Sequence, residues 1–102
     1  MNTTRKTDAG KHGDIRETIL LAAISKYGKG PQRDKAIEEL SELIRALARC
    51  DDIENIAEEM ADVRIMLDQL ELIFRNRARV REFEQAKLAR LSERLHVADT
   101  IG

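Results

Sequence analysis

A chain of 102 residues and 11.6 kDa has room for one core and none for a second. With 42% hydrophobic and 36% charged residues, one Pro, five Gly, one Tyr, two Phe and no Trp, the composition favours helices and argues against a sheet-rich fold. A net charge of −1 gives no global field for holding nucleic acid or an anionic membrane, and the lone Cys50 excludes an intrachain disulfide or a CxxC site.

Residues 1–13 are polar and hold two of the five glycines, so they read as a flexible N-terminal arm. Asp14, with Glu17 three residues on, has the pattern of a capping box and predicts a first helix to about Lys26, its apolar positions supplied by Ile15, Ile19, Leu20, Ala22, Ala23 and Ile24. Tyr27-Gly28-Lys29-Gly30-Pro31 breaks it. From Gln32 to Leu95 there is neither Gly nor Pro, which predicts long helices. A second helix over about Asp34 to Arg49 carries Ile37, Leu40, Leu43, Ile44 and Leu47 at helical spacing. After the polar Cys50-Asp51-Asp52 junction, a third helix reaches about Asn76 with the stripe Ile53, Ile56, Met60, Val63, Leu67, Leu70 and Phe74. Its far side adds Ile65, Met66, Leu72 and Ile73, so it needs partners on two sides, one of which is expected to be another subunit. A fourth, peripheral helix spans about Val80 to Leu95, and residues 97–102 form a tail. The expected fold is all-α, a four-helix bundle over residues 14–96. A core this small and aliphatic is marginal alone, so oligomerisation is expected. No apolar run resembles a signal segment or approaches a membrane span of about 18 residues, and the expected location is the cytoplasm.

The charge is unevenly spread: residues 34–71 carry twelve acids and four bases between two basic ends. Within that acidic centre, Glu38-Glu39-Leu40-Ser41-Glu42 and Glu58-Glu59-Met60-Ala61-Asp62 repeat one pattern twenty residues apart. At about 100° per residue, Glu39 and Glu42 fall roughly 100° and 160° to the same side of Leu40, and Glu59 and Asp62 stand identically about Met60. If Leu40 and Met60 face each other in an antiparallel hairpin, four carboxylates converge on one edge. Such a cluster repels itself unless a cation neutralises it, and all-oxygen ligands favour Mg²⁺ or Mn²⁺ over zinc. One ExxE on a surface helix reads as solvated charge; two in register are much rarer.

Glu39-x-x-Glu42, sixteen intervening residues and Glu59-x-x-Asp62 resemble the signature of the all-alpha MazG-like nucleoside triphosphate pyrophosphohydrolases. The resemblance extends through Gln32, Ala36-Ile37-Glu38-Glu39-Leu40 and Lys87-Leu88-Ala89-Arg90-Leu91, over about residues 14–95. It implies a MazG-like bundle in which Glu39, Glu42, Glu59 and Asp62 bind Mg²⁺, with Mn²⁺ as a substitute. It also implies hydrolysis of a (deoxy)nucleoside triphosphate to monophosphate and pyrophosphate, in a homo-oligomer, dimer or tetramer, with substrate near a subunit interface. Glu38 or Glu58 is a candidate for orienting the attacking water, the alternative for each being plain exposure. Lys26, Lys29, Lys87, Arg90 and Arg94, on the basic segments, are candidates for the triphosphate.

Other patterns carry less. Glu93-x-x-His96 is half of a di-iron carboxylate motif, which needs two such pairs. Arg75, Arg77, Arg79 and Arg81 form a basic run without interleaved aromatics, so it reads as a solvent-exposed helix junction, and no stable nucleic-acid binding is expected. Tyr27 is a candidate for stacking on a base, with packing against a helix end as its simpler role. The alternatives to a nucleotide hydrolase are a non-catalytic helical assembly protein and a phosphoribosyl-ATP pyrophosphohydrolase.

Overall fold

The computed structural model describes the backbone of residues 2–97 and the side chains of residues 15–97. Four helices follow one another: α1 (Asn2–Tyr27), α2 (Lys29–Ala48), α3 (Ile53–Phe74) and α4 (Arg77–Leu95), with no strand among the described residues. No helix of these is long and apolar enough to cross a membrane.

The helix start expected at Asp14 lies inside α1, whose backbone is helical back to Asn2. Residues 2–13 contain no proline, and each of Gly10 and Gly13 weakens a helix by only about 1 kcal/mol, so a local capping box is overridden by simple propagation. α2 likewise begins five residues earlier than the apolar pattern indicates. Gly28 breaks the chain with φ 97 and ψ 153, a region open essentially to glycine alone. Pro31 then falls in the first turn of α2, where no intrahelical partner exists for its missing N–H, and the first bond runs from the Gln32 amide to the Gly28 carbonyl at 3.1 Å. The expected tail lies, beyond Val97, outside the described residues.

The remaining helix ends share one closure. Cys50, Arg75 and His96 adopt left-handed φ values of 56, 53 and 59. The amide just after each reaches back five residues, Asp51 to Ala46 at 3.0 Å, Asn76 to Glu71 at 3.2 Å and Val97 to Ser92 at 3.0 Å. This is the 6→1 bond of a Schellman motif, with a non-glycine residue in the position glycine normally fills. α3 opens on Asp52, whose carboxylate accepts from the Asn55 amide at 2.8 Å.

Packing is concentrated between α2 and α3, with α1 lying more lightly against both and α4 touching α3. The buried apolar set among the described residues is Leu20, Ala36, Ala46, Val63 and Met66, and it includes no fully buried large side chain. Leu40 and Met60, expected to face each other, are instead exposed. The small Ala36 and Ala46 let the two backbones close on a different line, one that passes through Glu39. The radius of gyration is 17.5 Å, against about 13 Å for a compact domain of about 100 residues.

Two substitutions test the chain reversals. Gly28→Ala, strained at its φ and 3.3 Å from the Pro31 Cδ, lowers stability by about 1–3 kcal/mol, whereas Cys50→Gly raises it by about 1 kcal/mol. Urea unfolding followed by circular dichroism reads both signs.

Candidate metal centre

The α2–α3 seam has a single antiparallel register, visible in three opposed polar pairs. Gln32 faces Gln69, donating through Nε2 to Oε1 at 2.7 Å; carboxylate oxygens of Glu39 and Asp62 lie within 4.8 Å of each other; and Glu42 and Glu59 line one groove from opposite helices. The short connection through Cys50, Asp51 and Asp52 imposes the antiparallel course, and a constant register places each i, i+3 acid of one helix beside an i, i+3 acid of the other. The four acids singled out from the sequence, Glu39, Glu42, Glu59 and Asp62, therefore fall along one stretch of the seam, in two groups that share Glu39. Oxygen atoms of Glu39, Glu59 and Asp62 lie within 4.8 Å of one another, and those of Glu38, Glu39 and Glu42 do so as well.

Burial differs sharply along this set. The Glu39 side chain is only 9% exposed, while neighbouring Glu38 is 61% exposed on the outer side of α2. Withdrawal from water and the hydrogen bond and charge of Asp62 push the Glu39 carboxyl above its ordinary range, with Glu42 adding to the effect. Lys35, one turn earlier, opposes this through its ammonium 3.4 Å from Glu39 and 3.4 Å from Glu38. Glu59 is raised too, by desolvation first and then by the charges of Glu42, Asp62 and Glu58. Carboxylates this close repel one another, so at neutral pH the cluster holds charge it does not favour.

Toward the α2–α3 turn the cluster opens into a groove of about 200 Å³ lined by Glu42, Arg45, Ala46, Arg49, Asp51, Asn55 and Glu59. Asn55 is held there by the Asp51 carboxylate, which accepts from its Nδ2 at 2.9 Å. Arg45 and Arg49 escaped the sequence reading because they were counted within an acidic segment; their i, i+3 and i, i+7 spacing from Glu42 is the signal that places them on its face. Lys35 was legible in the same way, four residues before Glu39.

The basic candidates for substrate are placed elsewhere. None of Lys26, Lys29, Lys87, Arg90 and Arg94 is among the residues lining this groove. Lys26 lies over the Tyr27 ring, 5.4 Å from its centroid. Lys29 stands in the first turn of α2, and Lys87, Arg90 and Arg94 are exposed on α4. The arginine run is engaged at the helix junction: Arg77 pairs with Glu71 at 3.2 Å and Glu17 at 3.3 Å, and Arg79 pairs with Glu82 at 2.9 Å while covering the Phe83 ring.

The donor set fits a hard divalent cation. It is all oxygen, it comes from two rigid helices, and it includes one carboxylate buried where only a proton or a cation compensates its charge. Zinc, which selects nitrogen and sulfur, finds no such ligands in it.

Because Glu39 and Glu59 have raised values, protonation favours the fold; their contribution is complete below the ordinary value of 4.5 and is lost as pH rises through the raised values. In EDTA, the fall in stability from pH 4 to pH 8 is therefore shallower in Glu39→Gln than in the parent chain, as measured by urea midpoints. An identical slope contradicts the assignment. Compared with known proteins, the chain matches no family model, no curated protein and no solved structure.

Proposed function

We propose that the chain is a divergent MazG-like pyrophosphohydrolase, which uses Mg²⁺ or Mn²⁺ in the α2–α3 groove to hydrolyse a (deoxy)nucleoside triphosphate to the monophosphate and pyrophosphate. The observation that carries the reading is the Glu39 side chain, 9% exposed, with carboxylates of Glu59 and Asp62 within 4.8 Å. Withdrawing an acid from water beside two other acids is unfavourable for a bundle and useful for a cation site.

Glu39, Glu42, Glu59 and Asp62 would hold the metal. A bound divalent ion neutralises phosphate oxygens and lowers the pKa of a water it binds. The chain's own residues supply the rest. Lys35 holds Glu39 from the outer side of α2 and limits its swing. Arg45 and Arg49 present guanidinium groups along the groove that continues from Glu42 and Glu59, which suits them to charge on the leaving pyrophosphate. Glu38 and Glu58 flank the cluster, and either can orient the attacking water as its general base. Lys87, Arg90 and Arg94, none of which lines the groove of its own chain, then act from a neighbouring subunit of a dimer or tetramer. The role that follows is control of the nucleotide pool in the cytoplasm.

A panel of ribo- and deoxyribonucleoside triphosphates and phosphoribosyl-ATP, assayed for pyrophosphate with Mg²⁺ and with EDTA, tests this. Activity is expected with metal only, and falls on the order of 100-fold or more in Glu39→Gln and Glu59→Gln with helicity retained. Arg45→Ala raises KM. No turnover of any member of the panel contradicts the reading and favours a non-catalytic assembly protein, for which the exposed apolar faces are the supporting observation.

A further inference from the structure

The acids of the α2–α3 seam fall into two groups that share Glu39. Glu39, Glu59 and Asp62 come from both helices, and Glu38, Glu39 and Glu42 from α2 alone; within each group oxygen atoms lie within 4.8 Å of one another. The groups differ in how their charge is met. Lys35, one turn before Glu38 and Glu39 on α2, places its ammonium 3.4 Å from an oxygen of each. Among the described residues it is the one base ion-paired to any of these five acids. Arg45 and Arg49 line the groove beside Glu42 and Glu59 and form an ion pair with neither.

An exposed pair with Glu38 alone would be an ordinary surface contact of little consequence. The second contact sets Lys35 apart, because the Glu39 side chain is only 9% exposed. An ammonium is a compact positive charge with three N–H donors, so it rests on carboxylate oxygens where a small metal ion would otherwise rest. Two cations on one carboxylate group repel each other, most strongly where the shared ligand is withdrawn from water. Lys35 therefore neutralises the α2 group and disfavours a further cation there. The group that straddles the seam has no base of its own: neither Glu59 nor Asp62 is ion-paired among the described residues.

We infer, on the reading of this seam as a Mg²⁺ or Mn²⁺ site, that Lys35 is a built-in monovalent cation standing in place of a second metal ion. The chain then binds one divalent ion, held by Glu39, Glu59 and Asp62, rather than a pair. Paired divalent sites hold their ions about 3.5–4 Å apart. Glu39 is the carboxylate common to both groups here, and Lys35 occupies its α2 side. The negative charge of a bound polyphosphate is then met by a single divalent ion together with the guanidinium groups of Arg45 and Arg49.

Manganese titration of the full chain tests this, with free Mn²⁺ followed by its electron paramagnetic resonance signal. The parent is expected to take up one ion per chain. Lys35→Met keeps the unbranched side chain and removes its charge. It is expected to take up a second ion, bound on the order of 10-fold or more tighter than any second uptake by the parent. Two bound ions sharing Glu39 also broaden each other's spectrum. Adding Glu38→Gln to Lys35→Met removes the second ion and leaves the first. The Lys35 side chain is 51% exposed, so its replacement leaves the α-helical circular dichroism spectrum in place. Should Lys35→Met lose helicity, the parent's count alone decides. A parent that binds two ions with similar affinity overturns the role of Lys35 and leaves the metal site standing, as does a Lys35→Met chain that still binds one. A parent that binds none overturns both.

Discussion

The arrangement depends on an acid placed where a bundle ordinarily puts a leucine. Glu39 stands on the inner line of α2 with Ala36 and Ala46, and its carboxyl meets Asp62 across the seam while Glu59 closes the same space. Enclosing a carboxylate among carboxylates is unfavourable by several kcal/mol unless a proton or a cation is supplied. Lys35 supplies part of that compensation from the rim, and a divalent ion completes it in the proposed reading. The alanines on either side are the structural condition for this arrangement, since larger residues would hold the helices too far apart for the two acid pairs to meet.

The register carries this local chemistry into the architecture. Gln32 and Gln69 form a part-buried amide pair at one end of the seam, and the left-handed Cys50 with the Asp52 cap fixes the turn at the other. A slip of one residue would rotate both helices by about 100° relative to their partners and separate the acids. With polar groups on the inner line, the large aliphatic side chains are displaced outward, which explains why Ile37, Ile44, Ile53 and Met60 are exposed. The acidic site and the outward apolar face are thus two consequences of one rotation of α2 and α3, and the chain buries too little by itself to be compact.

Much of this was legible in the sequence, and the parts that were not have physical reasons. Four helices followed from the absence of Gly and Pro between Gln32 and Leu95, and the repeated acid pattern marked the residues that the hairpin brings together. The inner line was misread because hydrophobic periodicity favours Leu40 and Met60, while the packing is decided by how closely Ala36 and Ala46 allow the backbones to approach. The start of α1 was misread because a capping box signals that a helix can begin, and nothing in residues 2–13 stops one that has already begun. Arg45 and Arg49 were hidden within a segment whose net charge is acidic, and only the helix face on which they fall shows that they adjoin Glu42.

The central claim is that Glu39 is buried in order to share a divalent cation with the acids of α3. Manganese binding followed by electron paramagnetic resonance reads this without reference to any substrate. The account predicts saturable uptake of Mn²⁺ that Mg²⁺ displaces, that survives Glu84→Gln on the exposed face of α4, and that is lost in Glu39→Gln. Uptake that is absent, or that is the same in the parent chain and Glu39→Gln, contradicts it.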